Sequence, residues 1–214
     1  MIEIINLYKY ISGKLILDDI NLNLKDGSVY GFIGRNGSGK TMLFRAICGL
    51  ITIDKGEIII NGNKTSDNEI TQNIGLLLEN PSFLNGLSAY DNLKMIASIR
   101  SVVDDSRIDD VIDIVGLSQA RDKKYEQFSL GMKQRLAIAN VIMENPNILI
   151  FDEPTNAIDE QGVIVLKEII KNEKNNGKLI LIASHEREII EELCDEVYYM
   201  SEGKLKGNSK IDNI

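Results

Sequence analysis

Apolar and polar residues alternate over Ile2-Glu3-Ile4-Ile5-Asn6-Leu7 and again over Ile20-Asn21-Leu22-Asn23-Leu24. A period of two puts successive side chains on opposite faces, so both segments predict half-buried antiparallel strands. Lys25-Asp26-Gly27-Ser28 supplies a turn, and the run from Ser28 to Gly34 predicts a buried strand entering a glycine-rich loop. Thr41 to Leu50 then predicts an amphipathic helix. Lys55 to Asn63 and Asn73 to Leu78 predict two more strands, the first bracketed by turn glycines. From Ser88 the spacing becomes helical, with Leu93, Ile96, Ala97 and Ile99, then Ile108, Val111, Ile112 and Val115, stopped by Gly116. Ser88 and Asp91 have the spacing of a capping box. Strand and helix alternate again at Ile148 to Phe151, Gly162 to Asn175 and Lys178 to Ala183, and Val197 to Leu205 predicts two short strands about a tight turn. The pattern describes an α/β core interrupted by a mostly helical insertion between about Glu79 and Asn145.

Composition narrows the class. The 214 residues carry 24 basic and 32 acidic side chains, a net charge of −8 and a pI near 4.8, so the surface repels nucleic-acid backbones and anionic lipid headgroups. No apolar run approaches the roughly 20 residues of a bilayer crossing, and the start, Met1-Ile2-Glu3-Ile4-Ile5-Asn6, has no basic-then-apolar leader pattern. The expectation is one cytoplasmic domain. Cys48 and Cys194 are isolated, without metal or redox spacing, and are expected to be packed and reduced.

Three segments carry chemistry. Gly34-Arg35-Asn36-Gly37-Ser38-Gly39-Lys40-Thr41 fits G-x-x-x-x-G-K-[ST] between a strand and a helix. Gly34, Gly37 and Gly39 let the backbone turn amides toward phosphate oxygens, with Asn36 and Ser38 between them, while the helix N-terminus favours negative charge. Lys40 can reach the β- and γ-phosphates, and the Thr41 hydroxyl can ligate Mg²⁺. Ile148-Leu149-Ile150-Phe151-Asp152-Glu153 is an apolar strand ending in two carboxylates. Alternation along a strand would aim them differently, Asp152 toward the Mg²⁺ shell and Glu153 toward an attacking water. His185, the one histidine, follows a third apolar strand, Leu179 to Ser184. Ends of such strands are where open α/β sheets contact ligands, and an imidazole there could bond the γ-phosphate and the water.

Together these segments resemble the ATP-binding subunit of an ABC transporter over essentially the whole chain. The resemblance implies a P-loop core of the RecA-like type spanning residues 1–78 and 146–214, with an N-terminal antiparallel β subdomain, and a helical subdomain at 79–145. It also implies a signature, here Phe128-Ser129-Leu130-Gly131-Met132, that keeps Ser129 and Gly131 of L-S-G-G-Q and completes the ATP site of a second subunit. Pro154 to Asp159 is similar to the family's interface-crossing loop, with Asp159 in its acidic position. Glu79 stands where the family places a Mg²⁺-touching glutamine, and is equally compatible with a surface acid in a loop. For the aromatic residue that stacks on adenine, strict spacing gives Ile11, while the neighbouring Tyr10 is the candidate. Tyr8 and Tyr10 would share a side of a strand, so either could instead belong to the core.

The resemblance implies ATP hydrolysis by two copies, or by a heterodimer with a similar subunit, closing head to tail around Mg-ATP. Work passes to separate integral-membrane subunits through a surface near Glu79 to Leu87, where Pro81, Phe83 and Leu84 are expected to be exposed, leaving the subunit peripheral on the inner membrane face. Glu79 and the variant signature resemble the branch that serves lantibiotic immunity and bacitracin resistance, hence export of antimicrobial peptides. The alternative is a soluble ATPase of the same superfamily acting on DNA or the ribosome, which typically carries a second cassette, a coiled coil or a basic arm. A phosphate-loop kinase would leave Ser129 to Arg135 and His185 unexplained. Nucleic acid is not an expected partner.

Overall fold

A computed structural model of the chain describes residues 1–65, 73–78, 82–156 and 158–211. Strands β1 (Ile2–Ile11) and β2 (Lys14–Leu24) form an antiparallel hairpin whose two-residue turn, Ser12 and Gly13, has φ of 49° and 78°. Two successive positive φ values give the turn a twist that matches the strands, and glycine takes the second without strain. β4 (Lys55–Ile60) and β5 (Asn63–Lys64) complete a four-stranded antiparallel sheet in the order β2-β1-β4-β5. This is the N-terminal sheet that the period-two pattern predicts.

The second sheet has six strands. β3 (Val29–Ile33), β6 (Ile74–Leu77), β7 (Ile148–Asp152), β8 (Leu179–Ser184), β9 (Glu196–Ser201) and β10 (Lys204–Lys210) lie in the order β10-β9-β3-β8-β7-β6. All neighbours are parallel except β10 on β9. The expected C-terminal pair is present, and β9 also joins the central sheet beside β3, a long-range placement that local spacing does not encode.

Each central strand is apolar throughout because it is covered on both faces. Tyr30, Phe32, Ile148, Ile150, Leu179 and Leu181 pack with the N-terminal sheet and with α1 (Lys40–Ile47). Their alternate neighbours Val29, Leu149, Phe151, Ile180 and Ile182 pack against the helical side. That side holds α2 (Ala89–Arg100), α3 (Asp105–Ile114), α4 (Leu130–Met143), α5 (Glu160–Asn175) and α6 (Arg187–Leu193). No helix among the described residues is long and apolar enough to cross a membrane.

Local chemistry sets the helix ends. Ser88 caps α2: its Oγ accepts from the Asp91 N–H at 3.0 Å and donates to Asp91 Oδ2 at 2.7 Å. α1 stops at Ile47, short of the expected Leu50, because Gly49 takes φ 70° and the Gly49 and Leu50 amides turn back to the carbonyls of Ala46 and Arg45. Those paired bonds close a Schellman motif, for which glycine carries no Cβ penalty. α6 follows the third core strand and is absent from the sequence reading, because seven residues show too little periodicity.

Candidate nucleotide site

Three neighbouring parallel strands end at one edge. Ile33 lies opposite Ser184, and Asp152 opposite Ala183, so the segments following β3, β7 and β8 emerge side by side. They line a cleft of about 500 Å³ with Asn36, Gly37, Ser38, Gly39, Lys40, Thr41, Asp152, Glu153 and His185 on its walls.

The loop from Gly34 to Gly39 wraps the N-terminus of α1. Gly37 and Gly39 have φ of 80° and 110°, a region where a side chain would be strained. Gly34 is required for space: a Cβ there would stand 2.4 Å from the Met200 carbonyl oxygen and 2.5 Å from Ser38 Oγ. Gly39 caps α1 with no side chain, which leaves first-turn amides facing the cleft. Lys40 is buried, and its Nζ donates to the Gly34 carbonyl at 2.6 Å. The Ser38 hydroxyl is buried without a hydrogen-bond partner among the described residues.

Thr41 Oγ1 donates to Asp152 Oδ2 at 2.5 Å. Glu153 is buried, with Oε1 3.6 Å from Lys40 Nζ and Oε2 2.9 Å from His185 Nδ1. Lysine, two carboxylates, threonine and the histidine thus meet in one place although they span 146 positions of sequence, from Lys40 to His185. The two carboxylates do not diverge through strand alternation, because β7 ends at Asp152 and Glu153 turns away with φ 51°. Its N–H donates to the Ala183 carbonyl at 2.8 Å, tying the turn to β8.

Ser129 and Gly131 are not among the residues lining the cleft of their own chain. Ser129 is the exposed N-cap of α4, accepting from the Met132 N–H at 3.2 Å. The helix begins at Leu130, which puts Gly131 in its first turn. Asp159 is exposed and caps α5 by accepting from the Gly162 N–H at 2.9 Å. Glu79 lies outside the described residues, as does Pro81. Leu84 is 53% exposed, whereas Phe83 is half-buried edge-on to Tyr125, with ring centroids 5.4 Å apart.

At the hairpin end, Ile11, Lys14 and Ile16 line the cleft. Tyr10 is exposed and is not among the lining residues, and its N–H donates to Asp54 Oδ2 at 2.7 Å. That bond leads the causes that hold the Asp54 carboxyl below its usual range. Tyr8 is half-buried, with Lys55 Nζ 5.9 Å from its ring centroid. Lys14, Ile16, Met42 and Asn156 are cleft residues that sequence reasoning did not select. The hairpin residues carry no local signal, since only folding of β2 over the loop brings Ile16 O within 3.3 Å of where a Gly39 Cβ would stand. Asn156 falls within Pro154 to Asp159, the segment similar to the family's interface-crossing loop, and that position is its signal.

The fold and this cleft define a phosphate-loop ATPase cassette. The chain belongs to the ABC transporter family, whose model matches residues 17–156. It is an ATP-binding, ATP-hydrolysing member of that family. It is 44% identical over 212 residues to the uncharacterized ABC transporter ATP-binding protein YybJ of Bacillus subtilis, covering 99% of this chain and 97% of the relative. Identity is 39% to the lantibiotic transport ATP-binding protein SrtF of Streptococcus pyogenes, over 96% of this chain and 89% of that one. It is also 39% to the bacitracin transport ATP-binding protein BcrA of Bacillus licheniformis, over 100% and 71%. Among solved structures, the dimeric bacterial ABC transporter cassette MJ0796 superposes with a TM-score of 0.91 at 25% identity, each chain covered in full.

Proposed function

We propose that this subunit hydrolyses ATP to drive separate integral-membrane subunits that export antimicrobial peptides or confer immunity to them. The observation that carries the ATPase mechanism is the meeting of Lys40, Glu153 and His185 within 3.6 Å contacts at the edge of the phosphate loop. The peptide substrate class is supported by the lantibiotic and bacitracin transporters among the relatives.

Amides of the loop and of the first turn of α1 bind the phosphates, and Lys40 exchanges the Gly34 carbonyl for β- and γ-phosphate oxygens. Glu153 accepts the proton of the attacking water through its carboxylate, and His185 orients that carboxylate and contacts the γ-phosphate. The Thr41 hydroxyl and Asp152 carboxylate, already 2.5 Å apart, form the oxygen donor pair that suits a Mg²⁺ ion, with Glu79 a further candidate. When bound, such an ion neutralises charge on the phosphate oxygens. Asn36, Gly37, Ser38 and Gly39 shape the cradle. Ile11, Lys14 and Ile16 flank the adenosine end, and Tyr10, next to Ile11 in β1 and exposed, is the aromatic candidate for adenine.

A second copy supplies Ser129 and Gly131, which are exposed or half-exposed at the start of α4, and Asp159 is exposed at the start of α5. The pair closes on ATP and reopens after hydrolysis. The subunit sits at the cytoplasmic membrane face through its membrane partners, which dock near Leu84, exposed within the insertion. Glu153→Gln is expected to keep ATP affinity while hydrolysis falls by about 100- to 10,000-fold. Ordinary turnover by that variant would remove Glu153 from the role of base. Co-purification from native cells tests the partner and growth with and without antimicrobial peptides tests the substrate. Recovery of a nucleoprotein in place of a membrane subunit would favour the DNA or ribosome alternative.

A further inference from the structure

The helix that begins at the signature also holds the turn that carries Glu153. Gln134 lies in α4, five residues beyond Ser129, and is only 5% exposed. Its neighbours along the helix, Leu136, Ala137, Ile138 and Ala139, are core residues. A buried amide in such surroundings is costly unless it is hydrogen-bonded. Gln134 Nε2 donates to the Pro154 carbonyl oxygen at 3.3 Å.

That carbonyl belongs to a turn under steric pressure. Glu153 has φ 51°, where its Cβ is crowded, and the proline that follows favours an extended conformation for the residue before it. Such a residue persists where its surroundings over-determine it. Three bonds do so here. The Glu153 N–H donates to Ala183 O at 2.8 Å, the Glu153 carbonyl accepts from the Asn156 N–H at 3.2 Å, and Pro154 O accepts from Gln134. The first comes from the core sheet, the second from the turn itself, and the third from the helical insertion. Pro154 has no N–H, so its carbonyl is the backbone group through which the insertion can grip it.

We infer that Gln134 is a positioning residue for ATP hydrolysis, setting the Glu153 carboxylate through Pro154 and linking it to the exposed end of α4 at Ser129 and Leu130. Gln134 is not among the residues lining the cleft, so it acts through the turn and not on the nucleotide. The link makes the base sensitive to the position of the signature helix, and thus to whether a second copy is engaged there. The inference rests on the proposed role of Glu153 as base.

Two substitutions in the full chain test it. Gln134→Met keeps length and volume but removes the donor, whereas Gln134→Glu keeps the shape and donates only while its carboxyl is protonated. In Gln134→Met, kcat is expected to fall about 10- to 100-fold with KM and nucleotide Kd within about twofold of wild type. The kcat ratio of Gln134→Glu to wild type is expected to rise as pH falls, while the ratio for Gln134→Met stays level. Melting midpoints report folding, and if Gln134→Met fails to fold, the pH ratio of Gln134→Glu decides. Wild-type kcat in Gln134→Met overturns the inference, as does a level pH ratio in Gln134→Glu. If Glu153→Gln is inert while Gln134→Met turns over normally, the inference alone falls; if Glu153→Gln hydrolyses normally, the reading of Glu153 as base falls first.

Discussion

The Lys40 ammonium and the Glu153 carboxylate stand 3.6 Å apart in a buried setting, and each has a second partner that fixes its aim. Lys40→Ala removes the cation and is expected to abolish nucleotide binding, measured by fluorescent-nucleotide titration; unchanged affinity would refute the loop assignment. Gly34→Ala should weaken nucleotide binding without touching any charged group, because the added methyl would meet Met200 O and Ser38 Oγ at 2.4 and 2.5 Å. The cysteines give a pH test. Burial pushes the Cys48 thiol up to about 12 and the Cys194 thiol up as well. A thiol whose folded pKa is raised stabilises the fold below its unfolded pKa, and that contribution is lost as pH rises toward the folded value. Stability should therefore decline above roughly pH 8.5, the range where unfolded cysteines ionise. Cys48→Ala should flatten that decline in denaturant melts at pH 8 to 11. The identities of Lys40, Thr41, Asp152, Glu153 and His185 were legible from motif and strand position. The direction of Glu153 was not, because it follows from a positive φ set by contacts to β8 and α4.

Periodicity located most elements, since a strand or helix with a buried face must repeat its apolar residues at the pitch of that face. Their ends depended on caps, some of which were visible. Ser88→Ala should destabilise the fold by about 1 kcal/mol in a chemical melt, because the Asp91 N–H loses its acceptor at the start of α2. Other restraints cross between elements and leave no local trace. Arg107 of α3 donates through Nε to Met143 O at 3.2 Å and through Nη2 to Ile142 O at 3.0 Å, closing the C-terminus of α4. Arg107→Met should cost about 2 kcal/mol, read as a lowered denaturation midpoint with nucleotide affinity unchanged. Nothing in the sequence near Arg107 distinguishes it from a solvated helix arginine; its role appears once α3 and α4 lie side by side.

For the whole molecule, the separation of Ser129 and Gly131 from the chain's own cleft has a consequence that single sites do not. If two copies complete each other's sites, Lys40→Ala and Gly131→Asp are each inactive as homodimers. Their equimolar mixture should regain up to about one quarter of wild-type hydrolysis, since half of random pairs are mixed and each mixed pair keeps one intact composite site. Hydrolysis that stays at background in the mixture would count against shared sites. The sequence by itself determined the class of chemistry, because a phosphate loop, a strand ending in Asp152 and Glu153, and alternating apolar runs are local patterns that backbone geometry reads directly. Tertiary structure alone decided that Lys14 and Ile16 border the cleft and that Ile11 does so while Tyr10 does not, that β9 lies against β3, and that Gln134 grips Pro154. Each of these depends on which distant surfaces come to pack together, and the free energy of packing is shared among many residues with no spacing in the chain to reveal it.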